Sequence, residues 1–566
     1  SELTLFRKIF SALLCFLLSA GALYAAPRGK QELVPAGSWV YDALTAIALE
    51  EGRADFSDNA PLSINEILLY LSEADYSSLS SSCKSLYDRI KAYAAEDPLS
   101  FEAGIFSLEA DPVVNLEGMY KSEDDIDWVY GKKDRLALIS FPVKFQAKDL
   151  FTMYTELDLR QNYGYALRDA TFTNIPLEAS QFDTNFPHRA YFSTGYSFTD
   201  TAGMNFQIGL GERSVGRSLG GSVIMSEYLT TTSFASLSFY SPDVRYCMNV
   251  NQFNVDRYLY MHQLEVRLFK KLTFSAIEAI FVNAPLELRF LNPWTIYHGM
   301  SPWRDYEPDK DDSEGHTCAY MCFKLQYVPV KNLRLYANFA QDQFQTKYEM
   351  DNWPDNVTPN GIGAQLGIES YVPFRGGRFH AWLEGYYADP YLYIKESPNW
   401  SLVGTFSENM GEQAVFYEWI GSPYGPDTAA AQLSFGYEHD NWSITAGYLF
   451  KACGEYSGTK VFKGKNDCDW GGQDRVPDLD KWIYPDTSKD GFEEAKRKQS
   501  LVTPSGIPEY VNRISLCAKW SPVSAVTLAV RPACVFIFNS GNVSDNFKCG
   551  LETAVSVTFR PVRMFQ

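Results

Sequence analysis

Most of this chain consists of short aromatic-rich segments in which apolar and polar residues alternate. In residues 151–160, the odd-numbered Phe151 and Leu157 are apolar, whereas the even-numbered Glu156 and Asp158 are charged. Because successive side chains of a strand point to opposite faces, each such segment is predicted to be a strand with one apolar and one polar face. The pattern recurs in residues 333–342, 379–389, 442–451 and 551–560.

The apolar faces of these strands must be shielded from water. A soluble sandwich would bury them, but many such strands behind an export signal are typical of an outer-membrane barrel, in which lipid covers the apolar face. At roughly 20–28 residues for each strand and its loop, residues 101–566 hold about 18 strands. The predicted fold is therefore an all-β transmembrane barrel, antiparallel, preceded by a small α-helical bundle. Four long loops are predicted, at residues 169–187, 299–317, 345–360 and 454–508.

The N-terminal residues have the pattern of a targeting segment. Arg7 and Lys8 form a short basic region, and an apolar run from Ile9 to Leu18 follows it. This pattern predicts a signal peptide over residues 1–26. After Leu18 no run of about 20 apolar residues occurs, so the sequence predicts no membrane-spanning helix.

Residues 27–100 differ from the alternating segments. Ser38 and Ser63 are predicted helix caps, and Glu66 completes a capping box with Ser63. A third amphipathic segment places Leu86 and Ile90 on one face. We expect a bundle of three short helices on the periplasmic side, with a helical plug or a separate soluble domain as the alternatives. Because the bundle has its own caps and apolar faces, we expect the barrel to fold without it.

Composition and motifs limit the classes of function that this chain can have. The formal net charge of -19 argues against a nucleic-acid partner, because phosphates would not be neutralised. The aromatic content of 15% suits girdles at the two membrane interfaces. The sequence lacks the motifs of a hydrolase nucleophile, a zinc protease or a phosphate-binding loop, so no catalytic residue, no enzymatic activity and no cofactor is predicted.

No metal site is predicted either. Asp486 to Gly491 match the first half of a calcium-binding loop, but Arg497 stands where that loop needs a bidentate Glu. Cys318 and Cys322 lie four residues apart on a predicted strand, which is too far for both to bind one zinc ion.

A dense mixture of aromatic and polar residues lies at 287–312 and includes Trp294, Trp303, Arg304 and Tyr306. Sugars stack on aromatic rings while planar polar groups bind their hydroxyls, so this mixture indicates a saccharide site. The alternative is an interface girdle with ordinary loop packing. Trp470 and Trp482 lie in the longest predicted loop and are further glycan-binding candidates.

Four segments together resemble the Wzi family of capsule-assembly outer-membrane proteins. They are VPAGSWVYDALTAIALEEGRADFSDNAPLSINEILLYL (34–71), GLGERSVGRSLGGSVIMSE (209–227), residues 258–298 and EWIGSPYGPDT (418–428). Within 258–298, His262, Glu265 and Glu278 fall where the family has a His-x-Leu-Glu strand followed by a further Glu. The resemblance implies an 18-stranded barrel with a periplasmic helical bundle and lectin-like binding of an acidic surface polysaccharide.

Two functions are consistent with these features. The first is a closed barrel, monomeric and surrounded by outer-membrane lipid, that binds and organises surface polysaccharide in capsule assembly. The second is an outer-membrane channel for small solutes or lipids, since a large barrel has a polar lumen. Inward charged residues, with Glu265 and Arg267 as an example of a pair, are expected to form an ion-pair network across the lumen. Whether that network closes the lumen separates the two functions.

Overall fold

The computed structural model describes residues 24–26, 28–55, 57–95, 97–123, 126, 135–161, 172–183, 187–229, 232–299, 317–395, 401–408, 414–461 and 484–564. The helices are α1 (Trp39–Glu51), α2 (Ile64–Ser72), α3 (Ser81–Ala95), α4 (Lys347–Asn352), α5 (Thr487–Asp490) and α6 (Phe492–Gln499). The first strands are β1 (Tyr24–Ala26), β2 (Leu33–Val34), β3 (Leu62–Ser63), β4 (Asp97–Ala103), β5 (Phe106–Ala110), β6 (Val113–Lys121), β7 (Ile139–Ala147), β8 (Phe151–Leu159), β9 (Ala190–Thr199), β10 (Ala202–Gly211), β11 (Thr232–Tyr240), β12 (Val244–Asn254) and β13 (Arg257–Leu268). The remaining strands are β14 (Leu272–Asn283), β15 (Thr317–Tyr327), β16 (Leu333–Gln343), β17 (Gly361–Phe374), β18 (Gly377–Ala388), β19 (Val403–Glu408), β20 (Ala414–Trp419), β21 (Thr428–Glu438), β22 (Trp442–Cys453), β23 (Glu509–Val523), β24 (Val526–Phe538) and β25 (Lys548–Phe559).

Eighteen of these strands close into an antiparallel barrel, which confirms the predicted fold class. The wall runs from β6 through β18 and continues through β21 to β25. It closes where β25 pairs with β6, from Phe559 opposite Val114 to Glu552 opposite Lys121. β5 precedes β6 in the chain and also pairs with β7. The residues between β5 and β6 include Pro112, which has no N–H group to donate to the sheet.

The two faces of the wall follow the predicted alternation. On β8, Met153 and Leu157 are exposed on the outside, whereas Thr152 and Asp158 are buried on the inside. A closed barrel satisfies every backbone group of its wall internally, so its apolar outer face can lie in lipid. Among the described residues, no helix is long and apolar enough to cross a membrane.

The two ends of the barrel differ. Short turns such as 269–271 and 375–376 lie at one end, here called the short-turn end. Long connections lie at the other, here called the long-loop end: residues 122–138, 160–189, 212–231, 284–316, 344–360, 389–427 and 454–508. The described residues that flank the four predicted long loops lie at the long-loop end, whereas residues 300–316 and 462–483 lie outside the described part. The sequence analysis did not single out the connections 122–138, 212–231 and 389–427. In outer-membrane barrels the short turns face the periplasm and the long loops face the outside.

Helices α1 to α3 form the predicted bundle, and Ser38 and Ser63 cap the first two as expected. The predicted capping box at Ser63 is incomplete, because the Glu66 carboxylate accepts from Arg245 and from the Tyr70 hydroxyl. The Ser38 side chain accepts from the N–H of Val40, and the Ser63 side chain accepts from the N–H of Glu66. The bundle lies at the short-turn end. Its Ala54 N–H donates to the carbonyl of Lys270 in one turn (2.8 Å), and its Leu49 carbonyl accepts from Asn332 in another (2.7 Å).

The segment between α1 and α2 reaches into the lumen. Asp58 forms an ion pair with Lys324 of β15, and its carboxylate also accepts from the N–H of Arg217 (3.0 Å). Asn59 donates to Gln263 (2.8 Å) and to Glu265 (3.2 Å) of β13. These wall residues are buried and are charged or polar, so removing the bundle would remove ion-pair and hydrogen-bond partners that they need. The contacts argue against the expectation that the barrel folds without the bundle.

We predict that Asp58→Ala lowers the free energy of unfolding by about 3 kcal/mol, because it leaves a buried lysine without one of its carboxylates. The measurement is urea unfolding of the full chain in detergent micelles, followed by Trp fluorescence and by heat-dependent gel migration. Asp149→Ala is the matched control, since Asp149 lies in a turn at the same end and forms an exposed ion pair with Lys30 (3.2 Å). Its loss should cost less than about 1 kcal/mol. Equal losses in the two variants would contradict the anchoring role of Asp58.

Candidate functional site

The first inner segment (213–229) leaves β10 at the long-loop end and folds down into the lumen. Two polar wall residues hold its backbone. The N–H groups of Leu219 and Gly220 donate to the Glu384 carboxylate, at 2.8 and 3.0 Å. The N–H of Val223 donates to the side-chain carbonyl of Gln365 at 2.8 Å. Inward side chains of β17 and β18 therefore bind this segment, and do not face an open pore.

The second inner segment (389–427, of which residues 396–400 and 409–413 lie outside the described part) packs against the first. The Tyr393 hydroxyl donates to the Val223 carbonyl at 2.5 Å. The Ser226 N–H donates to the Ile420 carbonyl at 3.0 Å. The two segments and the inward side chains of the wall share one apolar core, whose fully buried members include Val223, Ile224, Leu259, Phe281, Cys322, Leu392, Ile394, Leu402 and Ile420. An apolar core thus occupies part of the inside of the barrel. Inward residues of β22 and β23 toward the short-turn end, such as Thr445, Ser515 and Lys519, remain partly or fully exposed.

Ion pairs join the wall, the bundle and the inner segments. Glu369 of β17 contacts Arg217 at 2.5 Å and Arg334 at 2.8 Å, and Arg217 also pairs with Asp42 of α1. Glu66 of α2 pairs with Arg245 of β12 at 2.8 Å. A cavity of about 180 Å³ lies between bundle and first inner segment, and its lining includes Asp42, Asp55, Arg217, Glu227 and Trp382.

Burial and pairing set the protonation of these groups. Burial disfavours the charged form of Arg217, but Glu369 and Asp42 more than compensate, so the pKa of Arg217 lies well above its ordinary value. Burial also opposes ionisation of Asp58, yet Lys324 and Arg334 hold its pKa below the ordinary value. Both groups are therefore charged in the folded protein, and their pairing fixes the bundle and the first inner segment against the wall.

The predicted network exists, but the suggested pairing of Glu265 with Arg267 is wrong. Glu265 contacts Lys324 (3.2 Å) and Arg245 (3.4 Å), whereas Arg267 contacts Glu73 of the bundle (2.6 Å). Side chains two apart on one strand are separated by about 6.6 Å along the backbone, whereas direct cross-strand neighbours have Cβ atoms about 5 Å apart. Arg245 and Glu265 are such neighbours, so proximity across strands decides the pairing.

A polar cleft of about 470 Å³ opens at the long-loop end, between residues 355–358 and 484–498. The neighbouring helix α4 is fixed by a capping box between Thr346 and Glu349. Beside the cleft, Tyr348 and Trp353 are 68% and 56% exposed, with their rings edge to face at 6.0 Å. The cleft itself is lined by Asn356, Thr358, Tyr484, Asp486, Lys489, Asp490 and Lys498.

The charged residues of the cleft are held in place by local contacts. Hydrogen bonds from Ser488 and Lys489 lower the pKa of Asp486 to about 2. Asp490 pairs with Lys498 at 2.7 Å. The two carboxylates of the calcium-like stretch are therefore already bound by protein donors. In the part of the chain that the structure describes, no cluster of residues suited to a metal ion occurs.

The structure describes only one of the six glycan-binding candidates. Trp294 is exposed on the outer surface of the wall, with its ring stacked at 6.5 Å from Tyr246 of β12. The other five lie outside the described residues: Trp303, Arg304, Tyr306, Trp470 and Trp482. Trp482 comes two residues before Tyr484, which lines the cleft. The sequence analysis missed Tyr348 and Trp353, although two aromatic residues within a predicted loop were a usable signal.

The fold is similar to those of solved outer-membrane proteins. It matches Wzi of Escherichia coli, an outer-membrane protein involved in group 1 capsule assembly and a carbohydrate-binding β-barrel, with a TM-score of 0.53 and 12% identity over 94% of this chain and 99% of that one. The outer-membrane channel DcaP of Acinetobacter baumannii matches with a TM-score of 0.35 and 8% identity over 81% of this chain and 99% of its own. OprD of Pseudomonas aeruginosa matches with a TM-score of 0.36 and 8% identity over 80% of this chain and 93% of its own.

No protein-family model and no curated protein matches the sequence. At 12% identity the match with Wzi establishes the fold and not the family. Together with the closed 18-stranded wall and its apolar outer face, that match identifies this chain as a bacterial outer-membrane β-barrel protein.

Proposed function

We propose that this barrel binds and organises surface polysaccharide in capsule assembly, with its bundle on the periplasmic side and its glycan site among the long loops. The observation that carries the proposal is that the two inner segments occupy part of the lumen. Porins keep a polar, water-filled channel, whereas here Glu384, Gln365 and Tyr320 of the wall bind the first inner segment. A protein of this kind acts at its surface, by binding and without catalysis.

The long-loop end supplies the groups that carbohydrate binding needs. Exposed rings such as Tyr348 and Trp353 offer stacking faces, and Asn356 and Thr358 offer hydrogen bonds to hydroxyls. Lys489, which is 79% exposed at its side chain, offers a positive charge to an acidic sugar. The cleft lining holds three Asp beside two Lys, and Lys489 also pairs with Asp486, so the rings and hydrogen-bonding groups supply most of the proposed binding energy.

We propose that the aromatic and basic residues predicted from the sequence extend the same surface. Trp470 and Trp482 belong to the connection that forms one side of the cleft. Trp303, Arg304 and Tyr306 belong to the connection between β14 and β15, which neighbours the other side of the cleft because β15 is paired with β16. Trp294 lies on the outer face of the wall beside Tyr246 and is not included in this surface.

A first test is the electrical conductance of the purified full-length barrel in a planar lipid bilayer. With bundle and inner segments in place, we expect no steady open-channel current over a wide range of applied voltage. As a control for insertion, the same preparation should show the heat-dependent gel migration of a folded barrel. Sustained ohmic current from folded barrels would contradict the proposal and favour the channel function.

A second test is glycan binding by variants of the cleft. We expect Trp353→Ala to weaken the binding of polysaccharide isolated from the producing strain by roughly fivefold, because one stacking ring contributes about 1 kcal/mol. Lys489→Ala and the double variant Trp303→Ala, Arg304→Ala should weaken binding in the same direction. Calorimetry with purified barrel, and retention of glycan at the cell surface at equal barrel abundance, are the measurements.

Tyr76→Ala is the matched control, because Tyr76 is an exposed aromatic residue of the bundle, at the opposite end of the barrel. It should leave glycan binding unchanged. Parental affinity in the three cleft and loop variants would exclude these residues from the glycan site. Loss of binding in Tyr76→Ala alone would place the site at the short-turn end.

A further inference from the structure

The polar cleft at the long-loop end has two walls that hydrogen bonds fix to each other. One wall is 355–358, and the other is 484–498. Directly after the second wall, the Gln499 side chain donates to the Thr358 carbonyl at 2.9 Å and to the Gln345 side-chain oxygen at 2.5 Å. The cleft is therefore preformed, and the groups on its walls hold defined positions.

A tight turn places an aromatic ring beside a carboxylate at the rim of the first wall. The Asn356 N–H donates to the Trp353 carbonyl at 3.0 Å, which closes a turn over 353–356. Pro354 is the second residue of this turn, where its fixed φ is favoured. The Trp353 ring is exposed, and Asp355 is exposed and lines the cleft. Because the ends of such a turn lie within about 7 Å of each other, the ring and the carboxylate are close enough to contact one sugar unit.

Four of the five charged residues that line the cleft are paired with each other. Lys489 contacts Asp486 at 3.1 Å, and Lys498 contacts Asp490 at 2.7 Å. The fifth is Asp355, whose side chain has no ion pair and no hydrogen bond to any residue that the structure describes. Three Asp against two Lys leave one negative charge, and that charge lies at the turn beside the Trp353 ring.

We propose that this turn binds a sugar unit that carries a primary ammonium group, so that the glycan of the cleft contains an amino sugar whose nitrogen is not acylated. The proposal rests on the proposed glycan function and names the class of sugar. Asp355 pairs with the ammonium group, and the Trp353 ring stacks on the same sugar and attracts its charge. A neutral sugar would leave Asp355 without a partner, and an acidic sugar would be repelled by it. Lys489 lies on the opposite wall and contacts a different unit of the chain.

A calcium ion that bridges Asp355 to an acidic sugar would be another way to use this carboxylate. Calcium takes about 6–8 oxygen ligands. Asp486 already accepts from Ser488, and Asp490 is paired with Lys498, so neither carboxylate is available to complete such a site. The Trp353 ring supplies no oxygen ligand but favours an organic cation. The turn is thus suited to an ammonium group and not to a metal ion.

The test compares the polysaccharide isolated from the producing strain before and after N-acetylation of its primary amines. This treatment removes the positive charges and leaves the sugar sequence and its linkages unchanged. With the purified full-length barrel in detergent and EDTA, we expect N-acetylation to weaken binding about tenfold, which corresponds to about 1.4 kcal/mol. An exposed ion pair and a cation–π contact together supply a difference of this size. Salt at about 1 M should reduce the difference, because exposed charges are then screened.

One substitution and a matched control locate the preference. Asp355→Asn should bind the untreated and the N-acetylated polysaccharide with affinities within about threefold of each other, because the ion pair is lost and the ring remains. Asp351→Asn is the control, since Asp351 is an exposed carboxylate of α4 in the same connection and does not line the cleft. It should keep the parental preference. An equal loss of preference in both variants would show that the overall charge of the loop decides, and would overturn the assignment to Asp355.

The outcomes separate this inference from the proposed function. Equal binding of the untreated and the N-acetylated polysaccharide by the parent protein, with Trp353→Ala still weakening both, would overturn the ammonium site and leave the glycan function standing. Binding that EDTA abolishes would assign the carboxylate to a metal bridge and would also overturn the ammonium site. Failure of the parent protein to bind the untreated polysaccharide, with and without EDTA, would overturn both proposals.

Discussion

The buried carboxylate of Glu369 is the point on which the inside of this barrel depends. It contacts Arg217 of the first inner segment, Arg334 of the wall and His380 of β18 at 2.5, 2.8 and 3.0 Å. A charge taken out of water is stable only if its partners and hydrogen bonds are complete. The wall, the bundle and the inner segment therefore hold each other in place, because each one supplies a charge that the others need.

The same wall meets two different environments. Inside, polar residues of β13, β15, β17 and β18 bind the bundle and the first inner segment, and an apolar core lies between the wall and the two inner segments. Outside, the wall is apolar except where 284–299 covers it and where His262 and Glu278 lie. In a barrel organised in this way the loop surface is available for recognition, and the proposed glycan site lies there.

Sequence patterns predicted the elements well, because alternation and capping are local. The strand faces, the three helices and the caps at Ser38 and Ser63 could be derived from neighbouring residues. The number of strands near 18 followed from the chain length and the usual length of a strand with its loop. The inner segments could not, since residues such as Val223 and Ile224 in a connection carry no period that distinguishes a lumen core from an ordinary loop. The partners of Glu265 depended on the pairing of distant strands, which one sequence does not give.

The candidate sites also depend on contacts between parts of the chain that are distant in sequence. Trp353 was an aromatic residue in a predicted loop, yet only the fold shows that the nearby residues 355–358 lie close to 484–498. His262 lies three residues from the inward Glu265, so alternation alone places it on the outside, but only the structure brings Pro293 and Trp294 over it.

Hydrogen exchange tests the central claim most directly, which is that the first inner segment is a permanent part of the folded lumen. The amides of Leu219, Gly220 and Val223 each donate to a wall side chain. In the purified full-length barrel they should be protected as strongly as the strand amides of β17 and β18, and should lose protection only when the barrel unfolds. Exchange at the rate of exposed loops, with β17 and β18 still protected, would show that the segment opens on its own and would contradict this account.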